Sequence, residues 1–509
     1  MKQTYKISTL ALSAAVAAAL ALGGCGKKEA GEAPKQALTA MSLNESGSGI
    51  ISWGDKKGSA GTYTFTDVSV KSNEQGDITF GKLKLVGVHM EGDQANFDKI
   101  TFIDMHAKSV ENGSNSDVTI KNISLIKPSP ALANAIAASF GGDKDAFDNI
   151  SGDIKFGGFS LAGMKVTDDN AEMKLDALNF GRESDKTGVI SLSNFNMHVT
   201  DKENVTFHLG SMNATGINLE KYDGLISAAI ANGSIGDKVN KEGVNKKVLK
   251  AITSSLNPYS PDFKKISLKD FSFDVDGIVG NLQSMTSKSV KKGDTIILTS
   301  KMSPLTIRAP KEATEKTKEF TDALTTLGYE ELSFSMATTS ELNETNDSMK
   351  VYDSYIELKD GFRLSYDLDM TNYRDYMQKV NSAQFGGNKD DFMKALSIVK
   401  LNKFKIAFRD DSILDRSFKL AAMKQGTSVK DLRQKATMGL AFLPMMAQDE
   451  GQQKIAGQLS KALGSLLSDG GTVTVNMNPN GVVDMSEVIG AMSGEFDISK
   501  LSLEILHHK

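Results

Sequence analysis

The chain has 509 residues, of which 40% are hydrophobic and 24% charged, and its formal net charge is −4. This length allows a large core and two to four domains. A mildly acidic chain lacks the basic footprint of nucleic-acid-binding proteins, so we expect no nucleic-acid partner. The single cysteine excludes a disulfide within the chain.

The N-terminal residues have the order of a secretory signal. Lys2 and Lys6 precede an apolar run over residues 7–22, and small residues follow at Gly23 and Gly24. The run is Ala-rich and short for a membrane span. We therefore expect a signal peptide over residues 1–24, cleaved between Gly24 and Cys25.

The lone cysteine comes directly after this segment, in Leu22-Gly-Gly-Cys25. These four residues resemble the lipobox of bacterial lipoproteins. The resemblance implies that Cys25 becomes the mature N-terminus and carries acyl chains such as palmitate, with membrane lipid as its partner. Several acyl chains together give effectively permanent attachment. The next residue, Gly26, is not the Asp that favours inner-membrane retention, so the resemblance favours the outer membrane, facing the periplasm.

Composition and pattern divide the remaining chain into four segments. Residues 25–49 are polar and small, which predicts a flexible, lipid-anchored linker. The predicted segments after it are a β-rich domain with helical insertions over 50–256, a second β/helix segment continuing the sheet over 257–410, and a helix-rich segment closed by two strands over 411–509.

One eight-residue pattern recurs along the chain, with apolar residues at positions one, three, six and eight. Copies begin at Tyr63, Ile78, Val118, Ile154, Ile190, Phe207, Ile266, Leu327, Val399 and Phe496, and a looser copy spans residues 100–107. A regular strand would divide these positions between two faces. A β-bulge at positions four and five would return all of them to one face. We favour bulged strands over the alternative, a strand whose buried face changes sides midway.

Helical spacing and helix-end signals occur between the strands. Ser428-x-x-Asp431 has the form of a capping box. The predicted helices cover residues 130–140, 222–256, 310–327, 373–398, much of 411–467 and 484–491. The predicted fold is therefore α+β and β-dominated: a long twisted antiparallel sheet of bulged strands, with interspersed helices and a helix-rich C-terminal part.

The sequence contains no motif typical of catalysis, cofactor binding or a metal site. The six histidines lack the spacing of metal ligands, and Asp274-x-Asp276-Gly277 lacks the remaining ligands of a calcium loop. We therefore predict no enzyme activity, no cofactor and no metal. The 22 methionines fit either plain core filling or an apolar groove for a greasy ligand.

The run of short, kinked strands with one apolar side resembles AsmA-like and YdgA-like envelope proteins of Gram-negative bacteria. The resemblance covers most of residues 50–408 as a pattern, without a diagnostic motif. It implies an elongated curved sheet with an apolar inner face that serves envelope maintenance or lipid movement. Those families usually have an N-terminal transmembrane helix where this chain has the lipobox-like segment.

Our leading hypothesis is a non-enzymatic, lipid-anchored envelope protein that binds a hydrophobic ligand or acts in outer-membrane maintenance. The alternatives are a periplasmic or surface-displayed scaffold with an envelope protein partner, and a hydrolase. The aromatic residues predicted to form an apolar ligand face are Phe156, Phe159, Phe195, Phe271 and Phe273.

Overall fold

The structure of the protein is a computed structural model. It describes residues 33–71, 78–111, 114–143, 146, 154–200, 203–219, 262–386, 394–447, 449–479, 481–488 and 498–509. The chain divides into two compact units, Met1–Ser255 and Leu256–Lys509. Cys25 and the predicted signal peptide lie outside the described residues, as does the helix predicted over 222–256.

The N-terminal unit is built on an antiparallel sheet in which most strands pair with their neighbours in sequence. β3 pairs with both β1 and β2, and the sheet continues in the order β3–β4–β7–β8–β9–β10–β11–β12. β5 and β6 form a separate hairpin. The strands are β1 (Ile51–Ser52), β2 (Asp55–Ser59), β3 (Thr62–Val70), β4 (Ile78–Val86), β5 (His89–Glu91), β6 (Gln94–Asn96), β7 (Lys99–Glu111), β8 (Ser114–Pro128), β9 (Phe156–Asp168), β10 (Ala171–Arg182), β11 (Thr187–Thr200) and β12 (Asn204–Asn218).

A line of interrupted pairing crosses this sheet at one level, and we call it the break row. On β3 and β4, for example, the ladder skips Asp67 and Gly81, which lie opposite each other. Because both partners contribute one residue, the register is the same on either side. The break row comprises Asp67, Gly81, Asp104, Lys121, Gly163, Asp176, Asn194 and Gly210. On alternate strands its residue has a positive φ: Asp67, Asp104, Gly163 and Asn194.

The break row keeps the apolar positions of each strand on one side of the sheet. On β8, Val118, Ile120, Ile123 and Leu125 are all buried, although the first and second pairs differ in parity. The burial of all four residues agrees with the single buried face that we predicted, and it excludes the alternative of a strand whose buried face changes sides midway. The mechanism differs from isolated bulges, because neighbouring strands share the break instead of opposing two residues to one.

Two helices and the β5–β6 hairpin cover the apolar side of β3–β9. The helices are α1 (Ala33–Ala40) and α2 (Pro130–Gly141), and both contact the hairpin. Their apolar residues and those of the strands form one continuous core. α2 confirms the helix predicted over 130–140.

The predicted linker is wrong for residues 33–49. Ala37, Leu38, Met41 and Leu43 are fully buried in the core of the N-terminal unit, and the backbone over Ala33–Ala40 is helical. The physical reason is that a few apolar side chains at helical spacing give enough burial to order a segment that is otherwise polar.

The C-terminal unit has its own antiparallel sheet, in the order β13–β14–β15–β16–β17–β18–β19–β20–β22, with β21 also on β19. The register shifts at bulges between β15 and β16, β16 and β17, β17 and β18, and β18 and β19, as it does between β11 and β12 of the N-terminal unit. The strands are β13 (Lys265–Val275), β14 (Ile278–Lys292), β15 (Thr295–Arg308), β16 (Glu331–Asn343), β17 (Ser348–Leu358), β18 (Phe362–Thr371), β19 (Lys400–Asp410), β20 (Gly471–Met477), β21 (Val483–Asp484) and β22 (Leu503–His508).

The helices of this unit are concentrated after β19. They are α3 (Lys318–Leu327), α4 (Tyr373–Gly386), α5 (Ile413–Gln425), α6 (Val429–Phe442) and α7 (Glu450–Asp469), with 3-10 turns at Leu443–Met446 and Ile498–Leu501. The Ser428 side chain accepts a hydrogen bond from the Asp431 N–H, as the capping box predicts. The α+β, β-dominated class with a helical C-terminal part is confirmed.

Three details of the sequence prediction are wrong. α3 begins at Lys318, and residues 310–317 are not helical. The pattern copy that starts at Leu327 spans the end of this helix, where Gly328 is the C-cap, and only its second half is strand. In the copy that starts at Phe496, residues 498–501 form a 3-10 turn instead of a strand.

Candidate functional site: an apolar sheet face

The five predicted ligand-face phenylalanines fall into two groups. Phe156 and Phe159 are buried in the core of the N-terminal unit, and Phe195 packs against that core. These three side chains are therefore occupied by the fold itself, which corrects their assignment to a ligand face. Phe271 and Phe273 lie on β13 of the C-terminal unit with their ring centroids 6.2 Å apart, and both are partly exposed.

Phe271 begins a cross-strand row of apolar residues. The row runs in register over six strands: Phe271, Leu282, Leu305, Phe334, Leu358 and Phe362. A second row lies beside it on the same side of the sheet: Leu268, Met285, Met302, Met336, Ile356 and Leu364. We call these two rows the apolar face.

Interruptions of the strand pairing keep both rows on one side. Asp270 has a φ of +54° between Leu268 and Phe271 on β13, and it reverses the strand parity there. On β15, the shift in register between Met302 and Leu305 has the same effect. The Ser303 side chain fills that gap, since its Oγ accepts a hydrogen bond from the Ser284 N–H at 2.8 Å and donates to the Ser284 carbonyl at 2.9 Å.

Next to the first row, the Phe273 ring lies unusually close to the backbone of Gly280. Phe273 pairs with Gly280 across β13 and β14. A side-chain carbon added at Gly280 would collide with the Phe273 ring. The glycine therefore allows the ring to lie against the neighbouring backbone, which extends the apolar surface beyond the first row.

Helix α7 covers this side of the sheet at its last strands, and Tyr373 of α4 packs on a further cluster at Ile296 and Leu342. Phe408, Val473 and Ile505 pack beneath Ala462 and Leu466 of α7, and form a separate apolar cluster. By contrast, none of the twelve members of the two rows belongs to an apolar cluster among the described residues. Leu282 and Leu358 are buried, whereas Ile356 is 38% exposed. The apolar face is thus an incompletely covered surface in the described part of this unit.

A band of hydroxyl groups borders the second row on the same side. Ser287 and Ser300 Oγ atoms are 2.8 Å apart, and Thr338 Oγ1 lies 2.7 Å from Ser354 Oγ. Two residues further along β14, on the same side, the buried Ser289 Oγ has no hydrogen-bond partner in the structure. The surface therefore changes from hydrocarbon to hydroxyl along the strands.

The opposite side of β17–β19 carries charge. Glu357 contacts Arg363 at 3.6 Å and Arg409 at 3.7 Å. Arg409 also donates to Asp411, and this hydrogen bond raises the pKa of Arg409 above its usual value. The Arg363 guanidinium lies 3.8 Å from the centre of the Tyr355 ring. Because one side is ionic and the other apolar, the sheet in this region is amphipathic.

The described residues offer no arrangement typical of metal binding, since they contain no group of three or more His, Cys, Asp or Glu side chains placed to hold an ion. His106 and Asp117 approach to 3.1 Å, but both side chains are about 40% exposed on strands of the N-terminal unit. Within the same set of residues, no helix combines the length and apolarity needed to cross a membrane.

Comparison with known proteins gives a match to part of the C-terminal unit. A family model described as "Uncharacterized protein" matches residues 355–507. The matched range begins near the end of β17 and includes β18–β21, most of β22, and α4–α7. No curated protein matches the chain.

Sequence reasoning had located one edge of this site and missed its extent. The pattern copies contain Phe271, Phe273 and Phe334, but not the partner residues Leu305 and Ile356. The sequence feature that indicates the apolar face is the alternation of apolar and polar residues on β15–β18, which places the apolar residues on a common side. Strand pairing, which joins these residues into rows, is not encoded in any one strand.

Proposed function

We propose that the protein binds a ligand with a hydrocarbon tail on the apolar face, in the cell envelope, and that it is held at the membrane through acylated Cys25. The observation that carries the proposal is the pair of cross-strand apolar rows outside the apolar clusters of the C-terminal unit. Soluble proteins rarely leave large continuous apolar surfaces uncovered unless these bind something.

The dimensions of the apolar face suit an acyl chain. Six adjacent strands spaced about 4.8 Å apart extend over roughly 24 Å. One leaflet contributes about half of the roughly 30 Å hydrocarbon core of a bilayer, so one acyl tail would fit along a row. The hydroxyl band at Ser287, Ser300, Thr338 and Ser354 supplies donors and acceptors for a polar group on the same ligand. A lipid is therefore the ligand class that we favour.

The envelope location is supported by the lipobox-like residues and by the resemblance to envelope proteins. Acylation at Cys25 would keep the apolar face near a source of lipid, consistent with a role in outer-membrane maintenance. Labelling cells with radioactive palmitate tests this part. We expect incorporation into the wild-type chain and none into Cys25→Ala; equal labelling of the two would refute the anchor.

Ligand binding is tested by mass spectrometry of lipid that co-purifies with the protein. We expect a reproducible amount of lipid per chain, and a several-fold loss in Phe271→Glu, because a carboxylate on the apolar face disfavours hydrocarbon. Ser272→Glu is the matched control, since the same charge is added one residue away on the opposite side of β13. Circular dichroism establishes that both variants are folded.

Two outcomes would overturn the ligand proposal. One is a wild-type protein that carries no lipid after gentle extraction. The other is equal lipid content in Phe271→Glu and Ser272→Glu. In either case, recovery of a stable protein partner by crosslinking would favour the scaffold alternative.

A further inference from the structure

The end of α6 and the 3-10 turn after it present a group of exposed apolar side chains. Met438, Phe442, Met445 and Met446 are 49%, 58%, 76% and 76% exposed. We call these four residues the apolar tip. Met445 and Met446 are the most exposed large apolar residues in the described part of the chain. Burial in a protein core therefore does not explain these methionines.

The apolar tip lies in an uncharged stretch of the sequence. No charged residue occurs between Lys435 and Asp449. Lys435 is exposed three residues before Met438, where it could contact anionic headgroups. The acidic residues on the other side belong to the start of α7: Asp449 accepts a hydrogen bond from the Gln452 N–H, and Glu450 lies in the first turn. Acidic side chains are favourable at that helix end.

Two neighbouring helices hold α6, the helix that ends in the apolar tip, in place. α6 packs against α5 and α7. Arg433 donates to Asp415 and to the Leu467 carbonyl, which ties α6 to both neighbours. Pro444 lies in the 3-10 turn that ends the helical run. The exposed side chains thus lie at the end of a helix that α5 and α7 hold in place, so the helix needs no further partner to be ordered.

We propose that the apolar tip inserts into the interface of a lipid bilayer, as a membrane contact separate from Cys25 and from the apolar face. An uncharged segment with flexible thioethers and one aromatic ring suits the fluid boundary between headgroups and acyl chains, where apolar side chains are buried about 5–10 Å deep. The exposed Lys435 adds charge complementarity to an anionic leaflet.

Tryptophan fluorescence tests the insertion, because Trp53 in the N-terminal unit is the only tryptophan. The full chain carrying Phe442→Trp is mixed with phosphatidylethanolamine/phosphatidylglycerol liposomes whose acyl chains are brominated. We expect at least twofold quenching of the added tryptophan after subtraction of the Trp53 signal. Val290→Trp is the matched control, since Val290 is an exposed apolar residue on β14 (49%), and we expect no quenching there.

A second variant excludes a trivial effect of the new ring. Adding Met445→Ser and Met446→Ser to Phe442→Trp should reduce the quenching several-fold, while the melting temperature stays unchanged because both methionines are exposed. Equal quenching at positions 442 and 290, or quenching unaffected by the two serines, would overturn the proposal. A blue shift of the added tryptophan that depends on protein concentration without liposomes would overturn it too, in favour of a second copy of the chain. A negative result for co-purifying lipid would concern the apolar face alone.

Discussion

The burial of α1 in the core of the N-terminal unit predicts a measurable loss of stability when its contacts are removed. Leu38 is 2% exposed and lies in the continuous core with Ala37 and Met41. Truncating a fully buried leucine to alanine removes its transfer free energy and leaves a cavity, which together cost about 2–5 kcal/mol. We therefore expect Leu38→Ala to lower the free energy of unfolding of this unit by that amount.

The same unit contains a built-in probe of its unfolding. Trp53 packs edge-on against the buried Phe65, with ring centroids 4.9 Å apart. Its fluorescence therefore reports on the N-terminal unit within the full chain. With an m-value of roughly 3 kcal/mol/M in urea, the expected loss lowers the midpoint by about 1 M.

Gln36→Ala is the matched control, because Gln36 is exposed on the same helix. Exposed substitutions usually change stability by less than about 0.5 kcal/mol. Should Leu38→Ala and Gln36→Ala give the same urea midpoint, residues 33–40 would not be docked on the core, and the linker interpretation would be restored.

Two further predictions concern the break row and a buried tyrosine. Gly163 has a φ of +63°, so Gly163→Val should destabilise the N-terminal unit by roughly 1–2 kcal/mol, measured by Trp53 fluorescence. Gly181→Val is the control and should not destabilise the unit, because Gly181 has no positive φ and open space around it. Equal effects of the two substitutions would contradict the role of the break row. Burial raises the pKa of Tyr373 to about 12. Because the unfolded value is about 10, the protein keeps its full stability below pH 10 and loses about 1.4 kcal/mol by pH 11, as the unfolded chain ionises first. Burial also raises the pKa of Tyr376 and Tyr329, so Tyr373→Phe should reduce the loss by about 1.4 kcal/mol without abolishing it, in urea titrations followed by circular dichroism at pH 9 and pH 11. An unchanged loss would show that Tyr373 does not contribute.

The single apolar side of each strand could be predicted from sequence because the pattern itself records burial. Val118 and Ile123 differ in parity yet both are apolar, which already implies a break between them. The partner of each break could not be predicted, because pairing depends on neighbouring strands. One copy, Met173 to Phe180 on β10, went unrecognised although it has the same spacing.

The errors in helix and linker prediction have a common origin in composition. Residues 33–49 contain enough Ser, Gly and other polar residues to resemble a linker, but Ala37, Leu38, Met41 and Leu43 are buried in the core and fix the segment there. For residues 310–317, the Pro start and charged composition indicated helix, whereas the helix begins only at Lys318. In both cases a few tertiary contacts or local hydrogen bonds outweigh the structural preference that the average composition of the segment indicates.

The difference between a covered and an uncovered sheet lies in the connections, not in the strands. Strands in both units alternate apolar and polar residues and interrupt that alternation near their middle, at Asp104 as at Asp270. In the N-terminal unit, the connections supply α2 and the β5–β6 hairpin, whose apolar residues complete a core. In the C-terminal unit, α7 packs on the last strands, and similar alternation leaves the two rows incompletely covered among the described residues. Strand patterns alone thus predict that an apolar side exists, and the placement of helices decides whether that side becomes a core or a surface able to bind a ligand.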